Sequence, residues 1–345
     1  MMYNSDNKVE KENGKNMKIG NTELKYGLIL APMAGFSDSA MRTVCYECGA
    51  EYSVTEMVSA AAVIYGDKKT YKLAKISCGE GPVGLQIFGK DPSVMAEAAA
   101  RLTEARENSR MPVAIDINMG CPVNKIYSNG EGSALMKNPR LIYDITRAVS
   151  GAVSLPVTVK LRLGVDRQHI NAVECALAAE GGGAAAIAVH GRTRVEMYAG
   201  NADYSEIRKV KESLHIPLVA NGDVTGYESY LKILRETGAD AVMIGRGAIG
   251  DPFVFERIRA MVDGTAYSEP TFDERVGVAM RQLEISSLDK GEYTAVREAR
   301  GQLAHYFKGF SGAAQLRGEI NLAETRAQIE AAVAAFAERI DNHGI

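Results

Sequence analysis

The residue with the clearest chemical potential is Cys121, in the stretch Ile-Asn-Met-Gly-Cys-Pro at 117–122. An apolar run at 112–117 precedes the thiol, and a glycine and a proline flank it. The sequence therefore predicts a thiol in the loop after a strand. A cysteine is more often an inert buried residue. Here its position at a strand end, before a long connection, favours an exposed thiol that acts as an acid or a nucleophile.

Other polar side chains lie at the carboxyl ends of apolar runs along the chain. They are Gln86, Asn118, Lys160, Arg162, His190, Asn221, Asp223 and Arg246. Lys160 and Arg162 are two residues apart in one predicted strand, so they point to the same face. Because two cations facing an interior are costly unless they are paired, we expect them to contact an anionic or electron-rich ligand. Ion pairs with Asp116 or Glu56 are the alternative.

Two glycine-rich loops follow the last two apolar runs, at 220–224 and 244–247. The second belongs to a Gly-x-Gly-x-x-Gly pattern, but the dinucleotide fingerprint normally opens the first βαβ unit of a sheet. Main-chain N–H groups of such late loops often bind phosphate in barrels, and Arg246 adds a cationic fork. We therefore predict a phosphate site; ordinary glycine turns are the alternative.

These loops and side chains need a scaffold that brings strand ends together. Eight continuously apolar runs alternate with helical patterns, as in parallel strands covered on both faces. The runs lie at 26–31, 52–56, 82–88, 112–118, 156–162, 185–191, 217–223 and 241–247. The fold class is α/β, and we predict a (β/α)8 TIM barrel, which gathers all strand ends at one mouth. A doubly wound open sheet is the alternative.

The chain divides into three predicted parts: a disordered polar tail at 1–17, the barrel at 18–258 and a small C-terminal all-helical domain at 259–345. Helices are expected at 167–182 within the barrel. In the C-terminal part they are expected at 272–291, 292–310 and 321–340, after a linker at 260–271.

Composition narrows the class of protein. The 345 residues have a net charge of −3, so nothing global indicates nucleic-acid binding. Five cysteines without disulfide-framework spacing fit a reducing compartment, and Cys45-x-x-Cys48 lacks the second pair of a zinc site. No apolar run reaches about 18 residues, and no signal peptide is evident. We predict a cytoplasmic enzyme without a metal, a membrane span or an obligate protein partner.

Taken together, these motifs resemble the tRNA-dihydrouridine synthase family, most closely its bacterial B-type subgroup. The resemblance runs from about residue 26 to 320. Its main stretches are LAPMAGFSDSAMR (30–42), QIFGKDP (86–92), DINMGCPVNKI (116–126), VKLRLG (159–164), VHGRTR (189–194), VANGDV (219–224) and IGRGAIGDP (244–252). One departure is Gly301-Gln302, where many relatives have Lys-His.

The resemblance implies that bound FMN, reduced by NADPH or NADH, reduces the C5–C6 double bond of a uridine in tRNA. It implies that Cys121 is the proton donor. It assigns FMN contacts to Pro32, Met33, Ala34, Gln86, Lys160, His190, Asn221, Gly222, Asp223, Gly245 and Arg246.

The tRNA itself is the predicted partner. Asn118 and Arg162 are candidates for contact at the mouth. Within 297–317, basic residues alternate with aromatic ones, which predicts an RNA-binding patch on the helical domain. Its candidate residues are Arg297, Arg300, Lys308 and Arg317. The alternative for this segment is a core helix with a solvated charged face.

Two other functions remain open from the sequence. The first is an FMN barrel reductase of a small molecule, of the dihydroorotate or enone type, although such a substrate needs no helical platform. The second is a non-catalytic RNA-binding protein, for which Cys121 would have no role.

Overall fold

The described part of the chain comprises residues 17–104 and 109–343, without the side chains of 341–343, in a computed structural model. The predicted disordered tail at 1–17 lies outside these residues except for Met17. Met17 begins a short antiparallel hairpin of β1 (Met17–Ile19) and β2 (Thr22–Leu24). The hairpin covers the amino end of the barrel, where Gly20 lies against Pro156.

Eight parallel strands form a closed barrel, which confirms the predicted fold and excludes an open sheet. β4 pairs with both β3 and β6, and β11 pairs back to β3. The strands are β3 (Leu28–Leu30), β4 (Tyr52–Val54), β6 (Val83–Phe88), β7 (Ala114–Asn118), β8 (Val157–Leu161), β9 (Ala186–His190), β10 (Leu218–Asn221) and β11 (Ala241–Ile244), with β5 (Val58–Ser59) extending the edge of β6.

Apolar side chains of different sizes fill the amino-terminal part of the barrel interior. The buried cluster there includes Ala114 and Ala186 together with Met17, Ile19 and Leu24 of the hairpin. Successive residues of a strand point to opposite faces, so the same interior rows carry polar side chains at the carboxyl ends of the strands. The interior is therefore apolar at its base and polar at its mouth.

Nine α-helices of the described chain connect the barrel strands, and a tenth follows the last strand. They are α1 (Ser39–Glu47), α2 (Ala60–Ile64), α3 (Lys68–Leu73), α4 (Pro92–Leu102), α5 (Asn124–Ser128), α6 (Pro139–Ala152), α7 (Ala172–Gly181), α8 (Tyr204–Ser213), α9 (Tyr227–Thr237) and α10 (Val254–Asp263). Short 3-10 helices occupy Gly132–Lys137 and Arg246–Ala248. α7 begins later than predicted because the Asp166 side chain accepts N–H groups of Gln168 and His169 and holds a turn there.

The C-terminal region is helical, as predicted. It contains α11 (Phe272–Lys290), α12 (Glu292–Gln302), a 3-10 helix (Leu303–Phe307), α13 (Ala313–Leu322) and α14 (Arg326–His343). The helix predicted at 321–340 is interrupted between α13 and α14. The boundary predicted between 258 and 259 falls inside α10, which continues until Gly264 ends it with a left-handed backbone. Thr271 and Glu274 then form a capping box that starts α11.

A hydrogen-bonded chain joins the helical region to the loop after β3. The Tyr306 hydroxyl donates to Gln282 over 2.6 Å, and Gln282 donates to Gln302 over 2.7 Å. Gln302 donates to the Gly35 carbonyl over 2.9 Å. Gln302 is therefore a buried link between the two parts of the chain.

Candidate active site

A cavity of about 840 Å³ opens at the mouth of the barrel. Every residue predicted to hold the cofactor lines it: Pro32, Met33, Ala34, Gln86, Lys160, His190, Asn221, Gly222, Asp223, Gly245 and Arg246. Asn118, Cys121 and Arg162 line it as well, and His305 and Lys308 reach it from the helical region. Arg297, Arg300 and Arg317 are not among its lining residues.

Cys121 is held through its main chain in the loop after β7. Its N–H donates to Asn118 Oδ1 over 2.9 Å, and its carbonyl accepts the Ser133 hydroxyl over 2.7 Å. Burial raises the pKa of the half-buried Cys121 thiol, while the Val123 N–H and the charge of Arg162 act in the opposite direction. The thiol therefore retains its proton at neutral pH, as an acid must.

Arg162 forms a hydrogen bond with the main chain of this loop. Its side chain is buried, at 3% exposure. Nε donates to the Gly120 carbonyl over 2.8 Å, and Nη1 donates to the Thr193 carbonyl over 3.0 Å. Within the described residues no ion pair joins Arg162 to Asp116 or Glu56, the partners considered from the sequence. Burial lowers the pKa of Arg162 to about 10, so the guanidinium remains charged at neutral pH.

Lys160 and His190 form a polar floor beneath the loop. Lys160 Nζ donates to Asn221 Oδ1 over 3.0 Å, and burial, together with Arg162, lowers the pKa of Lys160 to about 8. Burial and then Lys160 and Arg162 hold the pKa of His190 well below its usual value. The floor thus combines an ammonium group with a neutral imidazole. This combination suits an electron-rich ligand.

The two glycine-rich loops after β10 and β11 touch each other. A Cβ on Gly247 would stand 2.1 Å from the Val224 carbonyl oxygen, so only glycine allows this approach. The Asp223 carboxylate is turned toward Arg192, which donates to it over 2.8 Å. Arg246 remains half exposed at the cavity edge.

Tyr198 lines the cavity and was not predicted from the sequence. It lies in the loop after β9, and its ring stands 5.6 Å from the Arg162 guanidinium and 5.0 Å from that of Arg246. The side chain is 52% exposed. An aromatic residue in a loop after a strand end is the signal that could have identified it.

The residues predicted to contact RNA have different environments. Lys308 and Arg317 are both exposed, and Lys308 lies at the rim of the cavity. Burial lowers the pKa of His305, and the charges of Lys308 and Arg317 lower it further. Arg297 is exposed and stacks 5.4 Å from the Tyr293 ring. Arg300 donates to the Ala323 carbonyl over 2.6 Å and so caps α13.

Residues 17–104 and 109–343 contain no candidate metal centre and no candidate membrane span. In that part of the chain, no group of three or more His, Cys, Asp or Glu side chains could hold a metal ion. Cys45 and Cys48 are buried, and burial raises the pKa of Cys48 to about 12. No helix in the same ranges is long and apolar enough to cross a membrane.

Comparisons with known proteins show the family of this chain. A family model described as dihydrouridine synthase (Dus) matches residues 29–341. tRNA-dihydrouridine synthase B of Shewanella oneidensis is 41% identical over 318 residues, covering 90% of this chain and 95% of that protein. The protein of the same name from Pseudomonas aeruginosa is 39% identical over 329 residues, covering 94% of this chain and 97% of that protein.

Solved structures share the fold at low identity. A 6-hydroxypseudooxynicotine amine oxidase from Pseudomonas geniculata N1 has a TM-score of 0.56 at 14% identity, over 73% of this chain and 49% of that one. Histamine dehydrogenase from Rhizobium sp. 4-9 has a TM-score of 0.55 at 13% identity, over 84% and 50%. This likeness concerns the fold alone, whereas the family match and the close relatives cover nearly the whole chain. The chain belongs to the dihydrouridine synthase family.

Proposed function

We propose that this protein is a flavin-dependent tRNA-dihydrouridine synthase, which reduces the C5–C6 double bond of a uridine in tRNA. The observation that carries the proposal is the position of Cys121, which its main chain holds at the edge of a cavity that Lys160 also lines. Family membership and the names of the relatives support the same reaction. The reaction belongs in the cytoplasm, where tRNA is modified.

The lining residues fit FMN as the flavin. A cavity of about 840 Å³ is within the range of cofactor sites. The touching loops at Gly222 and Gly245, with Arg246 beside them, offer main-chain N–H groups and a cation to a phosphate. Lys160 would stabilise an electron-rich ring by its positive charge, and neutral His190 adds a hydrogen-bonding group without adding charge.

FMN, when bound, would supply a hydride, with NADPH or NADH as its reductant. The C5–C6 double bond of uracil is conjugated with the C4 carbonyl, so a hydride would add at C6 and negative charge would develop at C5 and O4. Cys121 then donates the thiol proton to C5. Asn118 and Arg162 keep the thiol at the mouth by holding its loop. Tyr198 offers an aromatic face for a base taken out of the tRNA stack.

Mapping of dihydrouridine in cellular tRNA tests the function. Cells that lack the protein should lose dihydrouridine at one or more tRNA positions and regain it when the wild-type chain is restored. The purified protein with FMN and NADPH should reduce tRNA and leave free uridine unchanged. Reduction of free uridine at the rate of tRNA, with no change in cellular tRNA, would instead identify a small-molecule reductase.

Charge reversal at the rim should weaken tRNA binding. Lys308→Glu is expected to raise the Kd for tRNA about threefold to tenfold and to reduce the slope of log Kd against log salt by about one, because a phosphate contact is lost. Lys18→Glu is the matched control, since Lys18 is exposed on the hairpin at the opposite end of the barrel. Equal effects of both variants on Kd would exclude Lys308 from the RNA surface.

A further inference from the structure

Asp116 is a buried carboxylate directly beneath the candidate active site. It lies in β7, two residues before Asn118, and points into the barrel interior without lining the large cavity. Gln86 Nε2 donates to Asp116 Oδ2 over 2.6 Å, and the Thr158 hydroxyl donates to Oδ1 over 2.5 Å. The roles assigned to the lining residues leave this carboxylate without a function.

The hydrogen bonds between Asp116 and the Cys121 loop all have their acceptor on the side of Asp116. A carboxylate can only accept, so the Gln86 amide presents its NH2 group to Asp116 and its oxygen to Asn118. Asn118 Nδ2 donates to that oxygen over 2.8 Å. Asn118 Oδ1 therefore faces the loop and accepts the N–H groups of Gly120 and Cys121, over 3.2 and 2.9 Å.

The ionisation of the Asp116 carboxyl group determines whether it can fix the direction of these hydrogen bonds. Burial raises the pKa of Asp116 to about 6, while the hydrogen bonds from Gln86 and Thr158 act in the opposite direction. Asp116 is therefore an acceptor at neutral pH. A rotation of either amide would place two donors or two acceptors face to face in a buried site, which costs more than the loss of one hydrogen bond.

We propose that Asp116 is a positioning residue: it orients the Gln86 and Asn118 amides and so fixes the loop that presents Cys121. Cys121 lies five residues after Asp116, and the side-chain amides of Gln86 and Asn118 stand between them, so Asp116 acts entirely through other groups. That the positioned thiol serves as an acid rests on the proposed function. The positioning itself does not, because it can be measured in the protein without flavin or tRNA.

Hydrogen exchange of the Gly120 and Cys121 amides tests the proposal, read by mass spectrometry with residue-level fragmentation. Asp116→Leu removes the acceptor and should speed exchange about tenfold, and Thr158→Val, which removes one of the two donors to Asp116, should speed it about threefold. Asp116→Asn should stay within about twofold of wild type, because its oxygen can accept from Gln86 while its NH2 group donates to Thr158.

Thr237→Val is the matched control for Thr158→Val. Both hydroxyls are buried hydrogen-bond donors, but Thr237 donates to the Ile233 carbonyl in α9 over 2.6 Å, away from the loop. It should leave exchange at residues 120 and 121 unchanged. If Asp116→Leu does not fold, the two threonine variants decide the question alone.

Three results for hydrogen exchange at residues 120 and 121 would overturn the proposal. They are an unchanged rate in a folded Asp116→Leu protein, equal rates in the two threonine variants, or an equal increase in rate in Asp116→Asn and Asp116→Leu. The third would mean that the negative charge matters rather than the direction of the hydrogen bonds. None of these results depends on reductase activity. A failure of the positioning role is thus distinguishable from a failure of the proposed function.

Discussion

Replacement of Cys121 by alanine is expected to slow uridine reduction in tRNA by a factor of about 10² to 10⁴, the usual contribution of a positioned general acid. The substitution removes the only group of this loop that can deliver a proton to C5 in the proposed mechanism. Its main-chain hydrogen bonds to Asn118 and Ser133 need no thiol, so the loop should keep its conformation. The measurement is dihydrouridine formed per unit time, by mass spectrometry of digested tRNA.

Two control measurements make this result specific to the thiol of Cys121. Reduction of the bound flavin by NADPH should proceed at the wild-type rate, because the thiol is not needed for that half of the reaction. Cys78→Ala, at an exposed cysteine that does not line the cavity, should leave both rates unchanged. A Cys121→Ala protein that forms dihydrouridine at the wild-type rate would show that another group or a water molecule supplies the proton.

Replacement of Arg42 by methionine is expected to lower the free energy of unfolding by about 3–5 kcal/mol, because it leaves a buried charge without a partner. Arg42 Nε and Glu80 Oε2 lie 2.5 Å apart, and the two side chains are 2% and 0% exposed. Glu80 Oε1 also accepts the Ser39 hydroxyl over 2.7 Å. Arg42 Nη1 donates to the Ser37 carbonyl over 2.7 Å, next to the loop that carries Pro32, Met33 and Ala34.

Urea unfolding followed by circular dichroism measures this loss. The control is Arg281→Met, whose half-exposed side chain pairs with Glu47 and Glu284 and should contribute no more than about 1 kcal/mol. The double variant Arg42→Met with Glu80→Leu should be less destabilised than Arg42→Met alone, since it removes both charges. A loss below about 1 kcal/mol in Arg42→Met would contradict this explanation.

Much of the fold could be predicted because the barrel repeats one local pattern eight times. Continuous apolar runs followed by polar residues at 86, 118, 160, 190 and 221 identified the strand ends and hence the mouth. The hairpin at 17–24 was not predicted, because three-residue strands carry no periodicity that distinguishes them from a loop. The start of α7 was placed too early because a side-chain turn at Asp166 competes with the helix.

The residues that line the cavity were easier to predict than the hydrogen bonds between them. Cys121, Lys160 and His190 line the cavity, as their positions at strand ends predict; their roles stay a prediction. Arg162 is predicted to contact a ligand, and it lines the cavity. Its guanidinium also donates to the carbonyls of Gly120, Thr193 and Met197, 31 to 42 residues away in the sequence. Such main-chain partners leave no pattern in residue types, and they become visible only when the loops are folded together.

The most direct test mixes the pre-reduced flavoprotein with unmodified tRNA in the absence of oxygen and of NADPH. Flavin absorbance and the mass of the tRNA are followed together. We expect the flavin to be reoxidised as one uridine gains two hydrogen atoms, and we expect Cys121→Ala to block both changes while remaining fully reducible by NADPH. Wild-type flavin that stays reduced in the presence of tRNA, or that is reoxidised without a change in the mass of the tRNA, would contradict the proposed function.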